Sequence, residues 1–504
     1  MNQTTAPAGF FGKFTVLNGA ARELWLTFLL KFLICAAYEI TALSLVRWLL
    51  VEHQWKDTSA QHMILGWGIT MTVTTLLVGS LTDALGLRRT FFLGAWICLF
   101  ARAIMAFANI GVWFTLIAGI FPLAIGEALG TPVLIAATRK YSTTAQRSIA
   151  FSIIYAVMNL GFLAGNNAFD WVRSALGEKG HWTLPLLGWE ITTYRTMFLV
   201  SLTIELFVLA TLFFLREGVE AHDDSIHISP AHHSANPGTP LPQRAWETIH
   251  TSGRDTVRFL NELIHQPGFY RLLAFLLFIS CLKLVFSVMF YIFPTWGIRV
   301  LGDNAPVGHL LSINNILVVI LVPLIGALTL KFSAYRVVIL GGIVTAASVF
   351  IMALPTAWFQ PASDSWLGGW FGHYLLGLKG AIHPYYIMIA LFVITYSFGE
   401  AFYSPRVYEY SAAIAPKGQE ASYGSLSYIP LLFGKIITGT AGGMLLATYC
   451  PEQGERRSNI MWLYVALAAT VAPVGLALLQ RLIRVQEVGR SDEDQPTAAK
   501  ENGV

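Results

Sequence analysis

The sequence predicts an all-α membrane protein: twelve transmembrane helices in two six-helix halves, with both termini cytoplasmic. Three observations predict it. Charged residues make up 12% of the 504 and hydrophobic residues 55%, with a mean hydropathy of +0.58, about half the charge of a soluble chain. The apolar residues fall in runs near the ~20 residues that a helix needs to cross the hydrocarbon core. The polar residues gather in one long break, 216–269, which leaves six runs on each side. Helices are the economical choice because lipid offers no partner to backbone amides; barrel strands would be shorter and strictly alternating.

The order of elements follows from the runs. Residues 1–22 are polar and rich in Gly, Ala and Thr, and read as a cytoplasmic segment. The first run, 24–51, is too long for a signal-peptide core and is expected to remain as an anchor. It is followed by runs near 62–81, 90–108, 112–137, 148–168 and 194–215, so that an N-terminal bundle occupies 23–215. The break at 216–269 contains "HISPAHHSANPGTPLP" and is expected to be a cytoplasmic linker. His222, His227, His232 and His233 in it have irregular spacing and no cysteine beside them, so no metal site is expected. Its end, "AWETIHTSGRDTVRFLNELIH" at 245–265, has the pattern of an amphipathic helix on a membrane surface. Runs near 270–296, 306–330, 335–355, 384–405, 422–448 and 459–484 form a C-terminal bundle, 270–484, and 485–504 has the composition of a disordered cytoplasmic tail. Pro132, Pro294, Pro323, Pro405 and Pro430 lie in or at the ends of spans, and "GKIITGTAGG", 434–443, suits close helix contacts.

Lysine and arginine set the orientation. With the N-terminus inside, nineteen fall on cytoplasmic segments and eight outside: Lys56, Arg173, Lys179, Arg195, Arg299, Lys379, Arg456 and Arg457. Trp182, Trp358, Trp366 and Trp370 in the outside loops fit an interfacial aromatic belt. The net charge of +4 gives no support to nucleic-acid binding. Cys35, Cys98, Cys281 and Cys450 have neither metal nor redox spacing and read as small hydrophobes.

Between the second and third runs stands "GSLTDALGLRRT". It resembles the signature loop of the major facilitator superfamily (MFS), Gly-x-Leu-x-Asp-Arg-x-Gly-Arg-Arg, at Gly79, Leu81, Asp83, Gly86, Arg88 and Arg89, with Ala84 and Leu87 departing from it. Gly permits close helix approach, Asp83 can sit at the positive N-terminus of the third helix, and the arginines face the cytoplasm. "GALTLKFSAYR", 326–336, is a degenerate copy in the second half and supports two related halves.

Within that superfamily the chain resembles the proton-coupled oligopeptide transporters. "TDALGLRRTFFLGAWI", "AFSIIYAVMNLGFLAG" and "INNILVVILVPLIGAL" are similar to stretches of that family. "GEAFYSPRVYEYSAAIAPKG" follows its helix-ten pattern at Gly399, Glu400, Ser404, Glu409, Tyr410, Ala415, Pro416 and Lys417. The resemblance implies that Glu400 contacts a substrate amino group, and that Asn159, after Tyr155, contacts the substrate as well. Tyr38 matches the first of two cavity tyrosines, with Glu39 at the second. The departures are as specific. The family's helix-one Glu-x-x-Glu-Arg reads Lys31, Phe32, Leu33, Ile34, Cys35 here, and Thr131 stands before Pro132 where the family has a carboxylate-binding lysine.

An ionisable side chain at the bilayer centre costs at least about 2.5–3.5 kcal/mol on insertion scales, so buried charges face a partner or a cavity. Glu39, Glu127 and Glu400 against Lys31, Lys283 and Lys435 are close to balance. Lys283 with Glu400 would couple the seventh and tenth helices. Arg47, Arg102 and Glu205 are expected to snorkel toward helix ends. The expected substrate site comprises Tyr38, Asn159, Glu400, Lys283 and Lys435 with Glu39 and Glu127, and the signature loop, Gly79, Asp83, Gly86, Arg88 and Arg89, is expected to act in gating. No phosphate-binding Gly-x-x-x-x-Gly-Lys-Ser/Thr occurs, and no nucleophile–base pair or metal spacing argues for an enzyme. No cofactor is expected.

The expected function is secondary active transport of a small polar or zwitterionic solute, peptide-like or amino-acid-like, by alternating access. Protons are the candidate coupling ion and a bacterial inner (plasma) membrane the expected location. The alternatives are an MFS exporter of amphipathic or drug-like compounds and a facilitative uniporter.

Overall fold

A computed structural model describes residues 16–484, apart from 186–187, 222–225, 330–331, all but a few positions of 229–266 and all but Leu426 of 415–428. The N-terminal helices are α1 (Arg22–Val51), α2 (Asp57–Leu85), α3 (Leu87–Phe107), α4 (Val112–Lys140), α5 (Thr144–Leu176) and α6 (Thr193–Phe213). The C-terminal helices are α7 (Pro267–Tyr291), α8 (Val307–Leu328), α9 (Ala334–Ala353), α10 (Pro384–Ile414), α11 (Ile429–Tyr449) and α12 (Ser458–Leu478). Among the described residues, 11 helices are long and apolar enough to cross a membrane; several side chains of α2 lie outside the description.

Every predicted run is helical over its described residues, apart from short breaks and differences at the ends. The seventh run breaks at Ile292, after which Phe293–Leu301 continues as a separate short helix. Pro294 lies in its first turn, where a missing N–H costs nothing. Pro132, Pro323 and Pro405 sit inside α4, α8 and α10. Short π-helical turns, Leu116–Ile120 and Thr438–Gly442, interrupt α4 and α11. The break between bundles begins with a hairpin, β3 (Val219–Ala221) against β4 (Ile226–Ile228), which sets His227 opposite Glu220. A first hairpin, β1 (His181–Thr183) with β2 (Glu190–Thr192), precedes α6. The described positions of 245–265 are exposed, and nearly all are helical; the rest of that stretch, His222, His232, His233 and the 485–504 tail lie outside the described residues.

Local chemistry fixes the helix starts. Thr143 and Gln146 form a capping box at α5, and Thr192 and Ser333 cap α6 and α9 through their side chains. Between α2 and α3, Gly86 has φ 85°, a conformation that a side chain would strain. Inside the spans, buried hydroxyls have no water to bond. Thr41, Ser44, Thr138 and Ser280 each donate to the carbonyl four residues back, which satisfies them within their own helix.

The chain packs as two compact units, one of residues 1–44 and 69–258 and one of 45–68 and 259–504. In the first, α5 lies against α1 at two glycines. A Cβ on Gly161 would meet the Phe32 carbonyl oxygen at 2.6 Å and Cys35 Cβ at 2.8 Å; one on Gly165 would meet Glu39 Cβ at 2.6 Å. Gly161→Val is therefore expected to destabilise by about 1–3 kcal/mol, read as a lower unfolding temperature of the purified protein, because the obstacle is backbone and cannot rotate away.

In the second unit, the small residues of α11 do what their sequence suggests. Gly439 approaches Leu65 and Gly443 approaches Thr58, both on α2, while Gly434 approaches the Lys283 carbonyl on α7. Gly341 of α9 and Gly399 of α10 approach each other in the same way. An aromatic cluster ties helix ends together: Tyr335 and Tyr410 donate to the carbonyls of Leu476 and Ile483 at 2.6 and 2.8 Å, around Phe275. Trp358, Trp366 and Trp370 are exposed, as an interfacial belt requires, whereas Trp182 is half-buried and donates to Thr196 at 2.8 Å.

Candidate functional site

The second unit holds the acid from the helix-ten pattern. Glu400 is 5% exposed, and its Oε2 accepts from Asn314 Nδ2 on α8 at 3.1 Å; the same amide reaches Ser397 Oγ, one turn before Glu400, at 3.0 Å. Ser397 in turn donates to the Val393 carbonyl. Asn314 thus orients the carboxylate from a neighbouring helix. The sequence signal for it was an amide in the apolar run "INNILVV", since polar groups persist in such runs where they have a partner.

Lys283 on α7 does couple the seventh and tenth helices, but through Ser404 rather than Glu400. Its Nζ donates to Ser404 Oγ at 3.2 Å and lies 5.1 and 5.4 Å from the ring centroids of Tyr403 and Phe286. Among the described residues Lys283 and Glu400 form no direct ion pair, although they are near enough to interact electrostatically. The reason is geometric: Ser404 lies one turn beyond Glu400 on α10, and the two aromatic faces hold the ammonium there by cation–π attraction, roughly 0.5–2 kcal/mol each. Lys435 on α11 is half-buried and lies 5.1 Å from the Trp67 ring centroid, with its stem against Gly68.

The second unit also contains a lock that the sequence reading did not find. Arg299 donates from Nη1 and Nη2 to Asp57 at 3.0 and 2.8 Å and from Nη1 to the Cys450 carbonyl at 2.9 Å, joining the start of α2 to the end of α11. Such a bidentate fork is strong and geometrically specific. Cys450 is fully buried. Asp57→Ala is expected to raise the labelling rate of Cys450 by a water-soluble maleimide several-fold in protein whose other cysteines are serine; an unchanged rate would mean the fork does not hold this end closed.

The first unit carries the remaining candidates. Tyr38 is half-buried and packs on Phe162 at 6.4 Å between ring centroids. Asn159 is buried, but its amide donates to the Tyr155 carbonyl of its own helix at 3.0 Å, so the predicted pair is joined by backbone rather than across a cavity. Glu39 is 1% exposed, and its Oε2 has no hydrogen-bond partner among the described residues. Lys31 is buried and reaches Cys35 one turn on.

Glu127 is 4% exposed and bound to Arg102. Here the snorkelling expectation fails. Arg102 is 1% exposed and donates to Glu127 Oε1 at 2.9 Å, Glu205 Oε2 at 2.8 Å and Ser201 Oγ at 2.5 Å. Opposite charges on α3, α4 and α6 meet at one depth, so neutralisation inside replaces escape to the surface. Arg47 is likewise buried.

Of the signature loop, the surroundings of Gly79 and the side chain of Asp83 lie outside the described residues, as do the side chains of Thr131 and Glu409 and the whole of Lys417. Gly86 makes the turn into α3; Arg88 covers the Phe92 ring at 5.3 Å, and Arg89 is exposed with Glu217 at 3.6 Å.

The fold has counterparts among solved structures. The fold is similar to that of a POT family transporter solved with 5-aminolevulinic acid: TM-score 0.67 at 15% identity, over 95% of this chain and 98% of that one. A peptide transporter POT in complex with sulfate gives 0.66 at 16%, over 94% and 96%, and the nucleoside transporter NupG gives 0.64 at 13%, over 91% and 100%. Comparison with curated proteins finds no match. The sequence itself matches the Major Facilitator Superfamily over residues 27–382. That match spans most of the chain and, with the apolar helices described above, shows that this multi-pass integral membrane protein belongs to the Major Facilitator Superfamily.

Proposed function

We propose that the protein is a secondary active transporter that carries a small zwitterionic solute, amino-acid-like or peptide-like, by alternating access and in company with protons. The observation that carries this reading is the arrangement of Glu400 and Lys283. A buried carboxylate oriented by Asn314 and a buried ammonium oriented by Ser404 and two rings lie near one another without pairing directly. Neither charge neutralises the other by contact, so each retains capacity for a solute group of opposite sign. A zwitterion fits that pattern, and the fold likeness to a transporter solved with 5-aminolevulinic acid supports the same class.

The test is uptake into proteoliposomes of dialanine, 5-aminolevulinate, uridine and a lipophilic cation, each with and without an inward proton gradient. Gradient-stimulated uptake of dialanine or 5-aminolevulinate, competed by the other, is the expected result. Preference for the lipophilic cation would replace this reading with an exporter of amphipathic compounds. Saturable uptake indifferent to the gradient would replace it with a uniporter.

A further inference from the structure

The first unit contains a charge cluster that the solute reading leaves unused. Arg102, Glu127 and Glu205 come from α3, α4 and α6 and are 1, 4 and 3% exposed. The guanidinium serves both carboxylates, and Ser201, itself bonded to Thr41 and the Ala37 carbonyl of α1, fixes its Nε. Among the described residues, the thiol of Cys98 on α3 lies against all three groups, and the thiol of Cys35 on α1, which has Lys31 and Glu39 one turn to either side, lies near Glu127. The cluster itself has two acids, Glu127 and Glu205, against one base, Arg102. With every acid ionised the group is one negative charge in excess where water is scarce, and an uncompensated buried charge is removed most readily by a proton.

Geometry gives that proton a place and a route. A cavity of about 20 Å³ lies against the cluster, lined by Arg102, Glu127, Glu205, Cys98, Gly94 and Gly126 among others. That is room for about one water, on a wall that is mostly apolar and polar only where Arg102, Glu127, Glu205 and Cys98 reach it. We propose that Glu127, Arg102 and Glu205 form a proton-binding site: the two carboxyl groups hold one proton between them on either side of the guanidinium, and a single water in the cavity relays it. An O–H bond forms on one glutamate as water gives up the proton, and the reverse step releases it; nothing is oxidised or reduced. The inference rests on the proton-coupled reading above and assigns the coupling proton to groups other than the solute-binding charges Glu400 and Lys283.

Infrared difference spectra of the purified full-length protein, taken between alkaline and acidic pH, test the site without any solute. The expected result is a carboxylic-acid C=O band that is lost in Glu127→Gln and in Glu205→Gln and kept in Glu39→Gln and Glu400→Gln. A band that survives in the first two, or vanishes in Glu39→Gln, overturns the assignment. Should a single variant fail to fold, the uncharged combination Glu127→Gln, Arg102→Met, Glu205→Gln leaves no unpaired ion and must also lose the band.

The second arm is transport. In Glu205→Gln, uptake with a gradient is expected to fall to the level seen without one, while solute counterflow continues; gradient stimulation equal to wild type overturns the coupling role. Absence of transport in the wild type would instead defeat the transport reading, and the infrared arm would still decide the site.

Discussion

Glu400→Gln is expected to reduce dialanine or 5-aminolevulinate uptake about 10–100-fold and to leave the purified protein folded. The isosteric amide preserves shape and can still accept from Asn314, so packing changes little. What disappears is the charge. A hydrogen bond to an ionised group is worth about 1.5–3 kcal/mol, and each 1.4 kcal/mol is a factor of ten, which gives the range. The loss should fall on counterflow as much as on gradient-driven uptake, because it acts on the solute rather than on the proton. Asn314→Ala tests the same geometry from the other side: it keeps the charge but frees its orientation, and a smaller loss in apparent affinity is expected. Normal uptake in both variants would remove Glu400 from the solute site.

The second large effect is on stability. Arg102→Leu leaves Glu127 and Glu205 facing one another without their guanidinium. Removing one partner of a buried ion pair typically costs about 3–5 kcal/mol, enough to lower the unfolding temperature in detergent substantially or to prevent purification. Arg102→Lys restores the charge but not the fork, which reaches two carboxylates and Ser201 at once, so partial recovery is expected. If Arg102→Leu unfolds at the wild-type temperature, the cluster does not hold α3, α4 and α6 together.

The site was legible in part, and the boundary is instructive. Glu400 stood out because a carboxylate inside an apolar run is costly and therefore has a reason to be there. Lys283, Glu127 and Arg102 stood out on the same ground, but their partners did not. The even balance of acids and bases suggested mutual neutralisation, yet pairing depends on which helices adjoin and at what depth. Position near a helix end points Arg102 to the surface, yet it sits beside two acids from different helices; opposite charge points Lys283 to Glu400, yet it bonds Ser404, one turn on. The Asp57–Arg299 fork has no signal in the sequence because both residues lie at helix ends, where charges are ordinary.

By itself the sequence determined the class of molecule, its helices and their order, because hydrocarbon admits few structures and each helix must be apolar along its own length. It also determined where close contacts were possible, since a glycine is visible as a missing side chain. The tertiary structure alone decided who meets whom: Asn314 with Glu400, Arg102 with two glutamates, Arg299 with Asp57. Those choices depend on distances of about 3 Å between residues as many as 242 positions apart in the chain, and helical periodicity carries no information at that range.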